Sequence, residues 1–178
     1  MEPLLQFLIA HAPAWVRSQR DRYRNGRPLS VSELTVLERF FSRDVIGSIR
    51  LTSVPVIENP PFYASLEAAS IAVPLDFRRM TAITFDNAVL ISRAESPTVD
   101  EWIPLLFHEA IHVVQYRELG IDRFVRTYVR GWAANGFHYS QIPLERDAYD
   151  LDARFRQAAH QSFDAVMETC KRLSADAD

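Results

Sequence analysis

Between Leu105 and Val114 the chain is apolar at every position except His108, Glu109 and His112. A helix through this run has no polar face to turn to water, so it belongs inside the protein. Two imidazoles and a carboxylate taken inward are costly unless something satisfies them, and a bound cation with its water does so. The fold must therefore supply a charge-matched centre against this one helix.

On an α-helix, residues four apart stack about 6 Å apart along one face, which lets His108 and His112 reach a single ion. Glu109 points roughly 100° away and lies beside that ion rather than on it. Catalytic zinc commonly takes three protein ligands and leaves a fourth position for water. Cys170 is the single cysteine, so a third ligand has to be His, Asp or Glu. Glu145 is the leading candidate: it follows Pro143 near the start of a helix, and Ala148, one turn on, lets that helix come close. Asp147, Asp150 and His138 are its rivals. The competing reading keeps both histidines partly exposed, with Glu109 in a surface pair and Glu145 favoured only by the helix dipole.

The surrounding pattern reads as α+β, mostly helical, with a small sheet ahead of the ligand-bearing helix. Residues 1–178 form one expected domain. A first helix carries Leu4, Phe7, Leu8 and Trp15; a second starts at Ser30, whose hydroxyl forms a capping box with Glu33 and turns Leu34, Leu37 and Phe41 inward. These fill residues 1–45. Residues 46–92 hold a strand from Ile46 to Ile57, a short helix at 62–69, and a hairpin around Asp86-Asn87. Thr98 and Glu101 open the helix over 98–119, which Gly120 stops. Residues 121–174 hold two further helices, one capped by Asp122 and one running from Pro143 to about Leu173.

Composition excludes more than it selects. With 23 acidic and 20 basic residues and a net charge of −3, no overall field singles out nucleic acid or a membrane surface as partner. Arg17, Arg20, Arg22, Arg24 and Arg27 read as a solvated face. Trp15, Trp102 and Trp132 read as core, Cys170 as a small apolar filler, and His11 and His160 as surface or capped residues. The start of the chain lacks a basic segment, and no run approaches the roughly 18 apolar residues of a membrane span, so a cytoplasmic protein is expected.

The stretch from Ala82 to Gln115, a hairpin and then Leu106-Phe107-His108-Glu109-Ala110-Ile111-His112-Val113-Val114-Gln115, resembles the zincin metallopeptidase superfamily. Its hairpin and ending are similar to the zinc peptidase core found beside bacterial contractile injection systems. Glu145-Arg146-Asp147-Ala148 resembles the signature of the gluzincin branch. The resemblance implies a zincin-like fold, Zn2+ at His108, His112 and Glu145, and hydrolysis of a peptide or protein substrate with Glu109 as general base. His138, Tyr139 and Tyr149 are candidates to stabilise the oxyanion. Tyr149 stands where gluzincins of the thermolysin type place an aspartate that orients a ligand histidine; Asp152 or Gln115 is the expected substitute. The resemblance also makes the strand around residues 89–92 an edge that pairs with substrate. The other reading is a catalytically inactive zincin-like binding module linked to a secretion or toxin system.

Overall fold

The structure is a computed structural model that describes residues 2–73, 75–157 and 161–175. Helix α1 (Glu2–Tyr23) buries Leu4, Leu8 and Val16 along one face. After a polar turn, Arg27 exchanges main-chain hydrogen bonds with Leu51. Helix α2 (Val31–Leu37) has the expected capping box between Ser30 and Glu33. A second short helix, α3 (Arg43–Ser48), comes before strand β1 (Arg50–Val54). The strand expected from Ile46 is therefore shorter. Ser42 caps Val45 N and winds the chain so that Val45 and Ile46 bury together, while Pro55, which has no N–H, follows the strand's end.

Helix α4 (Tyr63–Ala68) precedes the hairpin of β2 (Ala82–Phe85) and β3 (Ala88–Ser92). Asp86 takes the left-handed conformation at the turn, φ 61°, a region that aspartate tolerates. Sheet order is β1-β3-β2: Val89 lies opposite Leu51 in the parallel pair and opposite Thr84 in the antiparallel pair. All five residues of β3 are buried. Val89 and Ile91 join the cluster around Phe107 and Ile111, while Leu90 joins the cluster around Phe85 and Tyr116. Successive side chains thus feed opposite faces, and both faces are covered. Residues 89–92 are consequently the centre of the sheet and not the edge expected from the sequence. The outer edge beside the site belongs to β2.

Helix α5 (Val99–Ala134) buries every residue from 106 to 116, as the apolar run requires. Its two halves meet at Gly120, whose φ of 69° and ψ of 162° end one helical segment and start the next. Thr98 Oγ1 accepts from Glu101 N, but the Glu101 carboxylate turns to Arg156 instead of closing the box. Beyond a single 3-10 turn at Tyr139–Gln141 come α6 (Pro143–Gln157) and α7 (Ala165–Ala175). The expected single helix from Pro143 to Leu173 is divided. Asp164 Oδ1 accepts from Met167 N, and Phe163 packs on Phe40 and Phe107. His160 lies outside the described residues.

Two close contacts place α6. A Cβ on Gly131 would come within 2.6 Å of Pro143 Cδ, so the start of α6 rests on the α5 backbone. Ala148, fully buried, allows the same approach further along. Most of the N-terminal arginines are paired at the surface: Arg17 with Asp122, Arg20 with Asp21 and Asp86, Arg22 with Glu58. Trp132 is buried, Trp15 is half-buried, His11 is exposed beside Phe7, and Cys170 packs against the core. No helix among the described residues is long and apolar enough to cross a membrane.

Glu33 clamps the N-terminal half to α5. Its buried carboxylate accepts from Arg27 Nη1 and Nη2 at 2.8 Å, Ser30 N at 2.6 Å and Trp102 Nε1 at 2.9 Å. Trp102 is thus a hydrogen-bond donor as well as core. Arg27 is the main force holding the Glu33 carboxyl down to about 2, against the opposing effect of burial. A carboxyl depressed in the folded state stabilises fully above its unfolded value of about 4.3 and loses that contribution as pH falls towards 2. Thermal melts between pH 5 and pH 2 should show a smaller acid-induced fall for Glu33→Gln than for the wild type. At neutral pH, Glu33→Ala should cost about 2 kcal/mol in urea titration, since it strands the indole and Ser30 donors.

Candidate metal centre

The first half of α5 and the first turn of α6 bring three donors together. His108 Nε2 and His112 Nε2 stand 3.1 Å apart, and each is 3.4 Å from Glu145 Oε2. All three side chains are buried, and their ligand atoms form a cluster that could hold a metal ion. Tetrahedral bonds of about 2.0 to 2.2 Å place ligand atoms about 3.3 to 3.6 Å from each other. Two of the three spacings match, and the third is short by a few tenths of an ångström. Among the described residues, none donates a hydrogen bond to the buried Glu145 Oε2. A cation between these atoms would satisfy that oxygen, so the donor set fits one.

The electrostatics favour positive charge at the same point. Burial opposes a charged His112, yet the Glu145 carboxylate, helped by Glu109 and Gln115, pushes it up to about 9. Burial likewise opposes a charged Glu145, but His112 and His108 hold its carboxyl well below the usual range.

Neighbouring side chains fix the orientation of the donors. Gln115 Nε2 donates to the Leu144 carbonyl at 2.9 Å, which leaves Gln115 Oε1 to accept from His112 Nδ1–H at 2.8 Å. With its proton on Nδ1, a neutral His112 presents the Nε2 lone pair to the cluster. The same amide ties α5 to the residue just before Glu145. Tyr128, from the second half of α5, donates to Glu145 Oε1 at 2.8 Å. One carboxylate oxygen is therefore engaged while the other faces the imidazoles.

Glu109 lies beside the cluster, 5% exposed, as its helical position requires. Thr84 on β2 donates to Glu109 Oε2 at 2.6 Å. Two spaces meet at Glu109 and Tyr139. One is a cleft of about 490 Å³ bordered by Thr81 and Ala82, His108, Tyr149 and Arg156; the other is a smaller apolar cavity reaching His112 and Glu145. Tyr139 and Tyr149 both line the cleft, and Tyr149 packs its ring on His108 at 4.7 Å. Burial, reinforced by the nearby carboxylates, raises Tyr139 well above its ordinary value and Tyr149 to about 12. Both phenols therefore keep a proton to donate.

Not every sequence candidate converges. His138 is exposed ahead of the 3-10 turn and lines neither space. Of the rival ligands, Asp147 and Asp150 both pair with Arg172 on α7. Asp152 accepts from Arg156 at 2.8 Å, and its other oxygen receives no hydrogen bond from the described residues; it does not orient His108. Gln115 does take the orienting role for His112. Thr84 and Tyr128 are absent from the sequence-based candidates. Thr84 reads as one residue of a hairpin and Tyr128 as one of an apolar stripe. Only the need of a buried tyrosine hydroxyl for a partner hints at the second.

No protein-family model, no curated protein and no solved structure matches the chain. The orienting contacts are open to direct test. With zinc as the probe for a cation at this cluster, Gln115→Leu and Tyr128→Phe should each show about 10- to 100-fold weaker binding than the wild type, measured by competition with a chromogenic chelator. Unchanged affinity in both would remove these side chains from the centre.

Proposed function

We propose that the protein is a zinc-dependent hydrolase of peptide bonds, zincin-like and closest in plan to the gluzincin branch. The observation that carries this reading is the placement of Glu109. It is a buried carboxylate held by Thr84 at the junction of two cavities, next to three converging donors. A metal site that served only the fold would have no use for such a base.

Zinc bound by His108, His112 and Glu145 supplies a Lewis acid that lowers the pKa of water towards about 7 and polarises a carbonyl. Glu109 takes a proton from the attacking water as its oxygen adds to the carbonyl carbon. It then delivers that proton to the nitrogen as the C–N bond breaks. Tyr139 and Tyr149 offer O–H groups to the negative oxygen that develops in between. Thr84 keeps the Glu109 carboxylate turned towards the junction. The outer edge of β2, at Ala82, offers main-chain groups to an extended peptide lying in the cleft, whereas the Thr81 carbonyl is turned inward to Ser92 N.

This reading departs from the thermolysin-type pattern on α6. Tyr149 packs on His108, Asp152 binds Arg156, and orientation of a ligand comes from Gln115 on α5. The ligand positions and the base are unaffected by that change.

Glu109→Gln should retain zinc, by elemental analysis, and lose at least 100-fold in chelator-sensitive cleavage of a generic protein substrate. Undiminished turnover would remove Glu109 from the chemistry. Zinc-loaded wild type without any cleavage would instead favour the binding-module reading. In His112→Ala the bound zinc should fall below stoichiometry; full occupancy would refute the ligand set.

A further inference from the structure

The second half of α5 has two unlike faces. Phe124, Val125, Tyr128, Val129 and Trp132 pack into the core cluster shared with α1. Arg123, Arg126 and Arg130 are exposed. At about 100° per residue these three arginines fall within roughly 60° of one another, opposite the packed face, and form a ridge about 10 Å long.

Nothing within the described residues balances this ridge. Arg17, Arg20 and Arg22 on α1 each meet a carboxylate, whereas Arg123, Arg126 and Arg130 make no ion pair or hydrogen bond with any described residue. Asp122, the one acid between Ile121 and Ala134, is taken by Arg17. The arginines stand three and four residues apart, spacings at which like charges repel on a helix. Arg123 also lies in the first turn after the Gly120 break, where the helix dipole disfavours a cation. The ridge is unsupported by its own helix, and a negatively charged partner would relieve the repulsion.

Three observations choose among such partners. The large hydrophobic side chains that stand exposed among the described residues are Val31, Val99, Tyr149 and Met167. None belongs to this half of α5, so the ridge has no apolar group to bury in a bilayer. Its aromatic residues Phe124, Tyr128 and Trp132 are packed inward and offer no stacking platform to unpaired bases. The chain carries a net charge of −3, so the surface outside the ridge is more negative still and repels a long polyanion spread across it. A short acidic segment covering the ridge alone avoids that repulsion. Carboxylates three and four residues apart on an α-helix reproduce the arginine spacing, and each guanidinium can pair a carboxylate through two parallel hydrogen bonds. We infer that the outer face of α5 from Arg123 to Arg130 is a docking surface for an acidic helix of a partner protein. The inference does not depend on the hydrolytic reading.

Exposed ion pairs are individually weak and screened by salt, so binding is followed by NMR on the full chain at low ionic strength. The probe is an alanine-rich helical peptide with glutamates at positions i, i+3 and i+7, and the control is the same peptide with glutamines. The glutamate peptide should bind at least tenfold more tightly, shift the signals of Arg123, Arg126 and Arg130, and dissociate as salt is added. Arg123→Glu, Arg126→Glu and Arg130→Glu together should cost at least tenfold and create binding to the lysine counterpart of the peptide. Arg126→Glu alone serves if the triple variant does not fold, and Arg39→Glu, beside the other core cluster, should change nothing. Absent binding, equal binding of the glutamine peptide or affinity unmoved by the reversals would overturn the inference. Tighter ridge-dependent binding of a single-stranded oligonucleotide or of phosphatidylglycerol vesicles would overturn the choice of an acidic helix. Self-association abolished by the reversals would overturn it in favour of a second copy of the chain.

Discussion

Ionisable groups buried on one helix govern this architecture. His108, Glu109 and His112 sit among residues whose burial is nearly complete, and each finds a counterpart: Glu145 on α6, Thr84 on β2, and Gln115 one turn along the same helix. Such groups are tolerated in an interior only when their neighbours are aimed at them. The helix–helix approach at Gly131 and Ala148 and the seating of β2 against α5 can be understood as the means of delivering those neighbours.

A division of labour follows between the two halves of α5. The first half carries the imidazoles and Glu109; the second returns with Tyr128 to engage the oxygen of Glu145 that the imidazoles leave alone. Glu145 is thereby gripped from two sides by one stretch of chain. Gln115, bonded at once to His112 and to the Leu144 carbonyl, makes the imidazole's orientation depend on the spacing between helices. Errors in one would disturb the other.

The sequence carried much of this plan, for identifiable reasons. The apolar run and the four-residue histidine spacing are local, as are the Ser30–Glu33 box, the Asp86 turn and Gly120, so each could be read from a few neighbouring residues. Glu145 was legible because Pro143 and Ala148 mark the face and start of its helix. The sheet order was not legible: a buried run at 89–92 is equally compatible with an edge and with a centre, and only the long-range pairing of β1 with β3 decides. Thr84, Tyr128 and the Asp152–Arg156 pair likewise depend on which elements end up adjacent. The division between α6 and α7 depends on Asp164 and on the Phe163 contacts, which local helix propensity does not register.

Gly120 has a consequence beyond ending a helical segment. Tyr116 lies before it and Phe124, Val125 and Val129 after it, and all four line the smaller apolar cavity. The torsions of Gly120 thus help to set how these two parts of the lining face each other. A change in the elbow angle would reshape that cavity while every lining residue and every member of the His108–His112–Glu145 cluster kept its identity, a route to divergence that a comparison of site residues would never register.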